Sequence, residues 1–160
     1  MSNHVWEFTN QKKLTKSEFI DYFERKVFRT IRKHDMLPKD RLIRLAKSDD
    51  LNTKVLQTIL KKRFQVEFST KPNISSLNLS QAAEEAFQNI TQGKFEGPKP
   101  DKNPLYYLSD REVQLYAKLS KIPGKNRKVN KKIQSLFDKF LKKNQDLEIN
   151  IVNALHQINE

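Results

Sequence analysis

The stretch R-L-I-R-L-A-K-S-D-D-L-N-T-K-V-L-Q-T-I-L-K-K-R-F-Q-V-E-F-S-T, Arg41 to Thr70, holds three segments with different periods. Arg41 to Leu45 alternates as a short strand does, and Val66 to Thr70 reads as a second strand before Pro72. Between them, Asp49 or Asp50 is placed to cap a helix running to about Arg63, with Val55, Leu56, Ile59 and Leu60 facing inward. Strand, helix and strand in this order predict parallel pairing through a crossover helix.

Helical patterns surround this unit. Thr15 and Glu18 form a capping-box pattern ahead of Phe19, Phe23, Val27 and Ile31, which recur every four residues up to about Met36, and Pro38 is expected to end the element. Ser80 is the expected cap of a helix carrying Ala82, Ala83, Ala86, Phe87 and Ile90. Gln92 to Pro104 reads as a connector without a core. Ser109 and Glu112 repeat the capping box before Val113, Tyr116, Ala117 and Leu119. After a basic loop, Ile122 to Val129, a helix follows with Ile133, Leu136, Phe137, Phe140 and Leu141 on one face. Asp146 precedes a last helix carrying Ile149, Val152, Leu155 and Ile158.

Composition narrows the chemistry. The 160 residues suit one domain. The absence of cysteine rules out disulfides, thiolate catalysis and cysteine-bound clusters. His4, His34 and His156 are too far apart in sequence to pair on a helix as metal ligands, and the three glycines fall in connectors, so no phosphate-cradling loop is visible. No cofactor and no small-molecule substrate is expected. No apolar run approaches the ~20 residues of a membrane span, and Met1 to Asn10 lacks a signal-peptide pattern, so the expectation is a cytoplasmic protein away from membranes.

The net charge of +12 is concentrated in two blocks. Gln11 to Lys47 carries +7 and Lys118 to Lys143 carries +9, leaving the rest at −4. A field of this kind attracts polyanions. The candidate RNA-binding residues are Arg25, Arg29, Arg32 and Lys33 on the first helix, and Lys121, Lys125, Arg127, Lys128, Lys131 and Lys132 in and around the basic loop. Lysine at a helix start opposes the helix dipole, whereas a phosphate there gains both the free N–H groups and the lysines. Without a recognised base-reading module, backbone and shape recognition of a folded RNA is expected.

Three stretches resemble one enzyme family. Leu14 to Leu37, L-T-K-S-E-F-I-D-Y-F-E-R-K-V-F-R-T-I-R-K-H-D-M-L, is similar to the region after the N-terminal zinc ribbon of the two-thiouridine tRNA thiolases, which belong to the PP-loop, or N-type ATP pyrophosphatase, superfamily. Lys39 to Leu56 falls where members carry a strand, an S-G-G-x-D-S loop and a helix. Asn103 to Ile122 resembles the segment K-P-L-x-x-L-x-E-x-E-x-x-x-Y-A-x-x-x-G-I through Pro104, Leu105, Leu108, Glu112, Tyr116, Ala117 and Ile122. The closing helices resemble the family's closing region. The resemblance covers about two-thirds of the chain.

The resemblance implies an α/β fold, a reduced Rossmann-like remnant with a small parallel sheet of two to three strands and predominantly helices. It divides one domain, 1–160, into an N-terminal arm (1–14), a reduced PP-loop-like core (15–91), a connector (92–104) and a C-terminal helical part (105–160). The departures decide what it implies for chemistry. Lys47, Ser48, Asp49, Asp50, Leu51 and Asn52 stand against the S-G-G-x-D-S loop without its glycines, and Asp49 would repel a pyrophosphate. The zinc and catalytic cysteines are missing, and the chain has about half a full member's length, which implies a degenerate, truncated relative.

The first expectation is therefore a non-catalytic structural or accessory component of the ribosome, binding rRNA and in contact with ribosomal proteins. The alternative is a non-catalytic tRNA-binding partner in a thiolation complex. An enzyme of altered chemistry, with Asp49, Asp50, Glu84 and Glu85 as Mg²⁺ carboxylates, is a third reading.

Overall fold

The computed structural model describes residues 3–158. Among these described residues six α-helices dominate: α1 (Lys16–Lys33), α2 (Leu51–Leu60), α3 (Leu79–Thr91), α4 (Asp110–Ser120), α5 (Lys131–Leu141) and α6 (Leu147–Ile158). Four short strands accompany them: β1 (His4–Glu7), β2 (Lys13–Thr15), β3 (Leu42–Leu45) and β4 (Gln65–Phe68). Strands β3 and β4 pair in parallel, Ile43 opposite Val66 and Leu45 opposite Phe68, with α2 as the crossover. The protein is thus mixed α/β, mostly helical, with a parallel sheet of two strands. Among the described residues no helix is long and apolar enough to cross a membrane.

Strands β1 and β2 form a separate antiparallel hairpin, where the sequence suggested only an arm. Its turn depends on Gln11, whose φ of 68° is left-handed, and on the Asn10 side chain accepting from Lys12 N–H. The hairpin lays Trp6 and Phe8 against Phe19 and Tyr22 of α1.

Both capping boxes form: Thr15 with Glu18 at α1, and Ser109 with Glu112 at α4. Two helix boundaries differ from expectation. Helix α1 ends before Pro38, because Asp35 turns left-handed (φ 49°) and Met36 N–H donates to Ile31 O, closing a Schellman motif. At α3 the cap is Asn78, not Ser80. The Asn78 side chain accepts from Gln81 N–H and donates to Asp110, while the Ser80 hydroxyl accepts from Asp110 N–H.

The core has two parts. The larger one gathers Phe19, Phe23, Val27 and Ile31 of α1, Ile43 and Leu45 of β3, Val55, Leu56, Ile59 and Leu60 of α2, and Val113 and Tyr116 of α4. Phe23 stacks on Tyr116 at 4.4 Å. The second joins Leu79, Ala82 and Ala83 of α3 to Tyr106, Ile133, Phe137 and Val152. The span 92–104 is not a loose connector: Pro100 and Pro104 are buried, and Tyr106 donates to Pro98 O at 2.8 Å. Helix α5 buries only part of its expected face, since Leu136 and Phe140 are exposed while Ile133 and Phe137 are buried. Of the last helix, the Ile158 side chain lies outside the described residues.

Candidate nucleic-acid interface

The basic loop between α4 and α5 is fastened to the N-terminus of α2. Lys125 N–H donates to Asp49 O at 3.0 Å, and Leu51 N–H donates to Lys125 O at 2.6 Å, so Asp50 and Lys125 form a parallel bridge. Gly124 makes this approach possible, because a Cβ there would lie 3.1 Å from the Leu51 Cα. The Asp50 carboxylate accepts from Thr53 N–H at 2.7 Å. The helix end that follows β3 is therefore occupied by a carboxylate and a carbonyl from the chain itself. The N–H groups of Leu51 and Thr53, which could otherwise serve an anion, are already in use.

Most of the loop's cations remain exposed. Lys125 reaches Asp49 at 3.7 Å with both side chains in solvent, a pair of little energetic weight. Lys128, Lys131 and Lys132 are exposed, and the first turn of α5 holds no acidic residue. Lys121 ends α4 with φ 57°, at the position where the resembling thiolase segment carries glycine. A lysine held left-handed there costs about 1 kcal/mol relative to glycine.

Arg127 is different. Its side chain is only 7% exposed and donates from Nε to Asp110 at 2.9 Å and from Nη2 to Glu84 at 3.2 Å. Burial opposes its charge, but hydrogen bonds and attraction from Asp110 and Glu84 prevail, holding its pKa above the ordinary value. Glu84 also accepts from Asn130 N–H at 2.7 Å, tying α3 to the cap of α5. Arg127 thus belongs to a buried clamp between helices and not to the exposed cation set. The same contacts commit Glu84 to Arg127 instead of a metal. Glu85 is exposed, and its carboxyl is raised by partial burial and by the Glu84 charge. Among the described residues no group of three or more metal-ligating side chains converges.

On α1, Arg25, Arg29, Arg32 and Lys33 are all exposed. Arg25 pairs with Asp21 at 3.0 Å across solvent, and Lys33 lies 5.7 Å from the centre of the Tyr107 ring. Helix α4 packs against both α1 and α2, so one element links the two basic blocks. His34 stacks near Tyr107, and His156 lies 3.0 Å from the Tyr106 hydroxyl.

A second feature had no sequence signal: a cleft lined by Trp6, Tyr22, Lys26, Arg111, Glu112 and Glu148, where the hairpin, α1, α4 and α6 meet. Arg111 lies 5.8 Å from the Trp6 ring centre. Burial, followed by the charges of Asp110 and Glu112, pushes the Glu148 carboxyl up to about 7. These residues come from distant parts of the chain, and none sits in a run that local spacing would single out.

Comparison with solved structures places this arrangement. The fold resembles that of a tRNA thiolase. The chain superposes on the U34-tRNA thiolase NcsA from Methanococcus maripaludis, solved with its 4Fe–4S cluster, at a TM-score of 0.76 and 12% identity. The match covers 97% of this chain and 84% of NcsA. That second figure gives no support to an outline cut to half. No family model and no curated protein sequence matches the chain. The NcsA likeness concerns the fold, and the cluster does not carry over: with no cysteine, this chain offers no thiolate to iron.

Proposed function

We propose that this chain is a non-catalytic tRNA-binding protein on a thiolase-like fold, a partner that holds tRNA in a modification complex. The observation that carries the reading is the self-filled end of α2. Asp50 and Lys125 O take the N–H groups of Thr53 and Leu51, and Gly124 packs against Leu51. A triphosphate brought there would meet the Asp49 and Asp50 carboxylates and a loop bonded to the helix end. Missing cysteines support the same conclusion for sulfur chemistry.

The loop that fills this end carries exposed Lys125 and Lys128, and Lys131 and Lys132 follow at the start of α5. Such a cation set serves phosphates of a nucleic-acid backbone. The likeness to NcsA favours tRNA over rRNA, because the ribosomal expectation rests on size, charge and missing catalytic groups and has no structural likeness behind it. The test is affinity capture of the chain from cells, followed by RNA sequencing and measurement of ATP turnover. Recovery of tRNA with a thiolase supports the proposal. Co-sedimentation with ribosomal subunits at moderate salt would replace it with the ribosomal reading, and sustained ATP hydrolysis would end the non-catalytic one.

A further inference from the structure

The cleft between the hairpin and α6 lies outside the contacts just described, and its volume is about 280 Å³. That is at the small end of small-molecule sites, room for one planar ring system. Its walls include Trp6, Phe8, Tyr22 and Tyr107. The rings of Trp6 and Phe8 meet edge to face at 6.3 Å, and Phe8 meets Tyr22 likewise at 5.1 Å. Two cations stand at these rings: Arg111 near Trp6, and Lys26, whose Nζ lies 3.2 Å from the Tyr22 hydroxyl. Among the described residues Trp6 Nε1 is enclosed without a hydrogen-bond partner.

The carboxylates differ in availability. Glu112 is committed, accepting from Ser109 N–H at 3.0 Å and from the Tyr22 hydroxyl at 2.5 Å. Glu148 is 4% exposed and lies beside the Ser80 hydroxyl. An ionised carboxyl has about four acceptor sites, so Glu148 retains capacity for a pair of N–H donors. A planar ligand carrying two adjacent N–H donors fits aromatic walls and this carboxylate together. Among the four RNA bases only guanine has such an edge, in N1–H and N2–H. Adenine and cytosine present one amino group next to an acceptor, and uracil presents one N–H between carbonyls.

We infer that this cleft takes one unstacked guanine base, read by Glu148 against the Trp6 and Tyr22 rings, with its phosphate towards Arg111 and Lys26. Stacking on aromatic or guanidinium planes with an edge held by hydrogen bonds is how unpaired bases are recognised in RNA. The guanine comes either as a free nucleotide or as a base turned out of an RNA strand. Only the second source rests on the tRNA reading.

Trp6 is the only tryptophan, so its fluorescence reports on the cleft directly. Titration with GMP, AMP, CMP and UMP should give a saturable change, with GMP bound about tenfold or more tighter than the others. A hairpin RNA with one unpaired guanine should reproduce the change, and its fully paired counterpart should not. Glu148→Gln should remove the preference for guanine, and Arg111→Gln should weaken all four nucleotides alike, with folding of each variant checked by far-UV circular dichroism. Saturation by GMP but not by the RNA assigns the site to a free nucleotide. Equal responses to all four nucleotides, or none to GMP and to the RNA, would overturn the inference. If filter binding detects tRNA while Trp6 emission stays constant, the cleft proposal fails and the tRNA reading survives. If GMP saturates the signal and tRNA does not bind, the reverse holds.

Discussion

Replacing Glu148 with Gln should make the protein more stable, and more so as pH rises. The carboxyl is buried, faces Asp110 and Glu112, and is pushed from its ordinary 4.5 to about 7. Because the folded state holds this proton more tightly than the unfolded chain, the native protein is favoured below pH 4.5 and loses that advantage as pH climbs to about 7. A difference of roughly two and a half pK units corresponds to about 3 kcal/mol, a loss that is complete above about pH 7. Glutamine fills a similar volume without a charge to desolvate. Urea denaturation of both proteins at pH 5 and pH 8, followed by circular dichroism, gives the difference directly. The variant should gain little at pH 5 and up to about 3 kcal/mol at pH 8. A variant less stable than the parent at pH 8, or a gap independent of pH, would refute a strained carboxylate at this position.

Four further outcomes follow from the interface. Changing Lys125, Lys128, Lys131 and Lys132 to Gln should lower the log–log salt slope of tRNA binding by roughly 3, at about 0.7 to 0.9 per lost phosphate contact; an unchanged slope means another surface binds. Arg127→Met should instead cost about 2–4 kcal/mol of stability, measured in urea, by leaving the half-buried Glu84 and Asp110 without their cation. Lys121→Gly should raise stability by about 1 kcal/mol, since glycine accepts φ 57° without strain, while weakening tRNA binding in a filter assay. Gly124→Ala should destabilise by about 1–3 kcal/mol, because the added methyl meets the Leu51 backbone, and hydrogen exchange at Leu51 and Lys125 N–H should speed up.

Local signals in the sequence were readable where partners lie three or four residues apart. Thr15 with Glu18 and Ser109 with Glu112 form as their spacing predicts, and the β3–α2–β4 order gives the parallel pair. Features set by distant partners were not readable. Asn78 and Ser80 are both good caps, and Asp110, about thirty positions onward, assigns them different tasks. Arg127 resembles its basic neighbours until Glu84 and Asp110 close on it. The hairpin strands have three and four residues, too few for periodicity to register, and their turn relies on a left-handed Gln11 instead of a glycine. The cleft draws Trp6, Tyr22, Arg111 and Glu148 from four separate elements or their flanks, a convergence that only packing creates.

The bond from Leu51 N–H to Lys125 O also bears on how tightly RNA could be held. A basic loop is commonly floppy, and ordering it on association costs about 0.5–1.5 kcal/mol for each immobilised long side chain, besides the backbone. Here the backbone share of that entropy is already spent during folding: Lys125 is pinned at both its N–H and its carbonyl, and Arg127 anchors the loop two residues on. The lysines thus project from a preorganised rim. Dissociation of an RNA seated on it would be slowed, since release frees no loop motion in return.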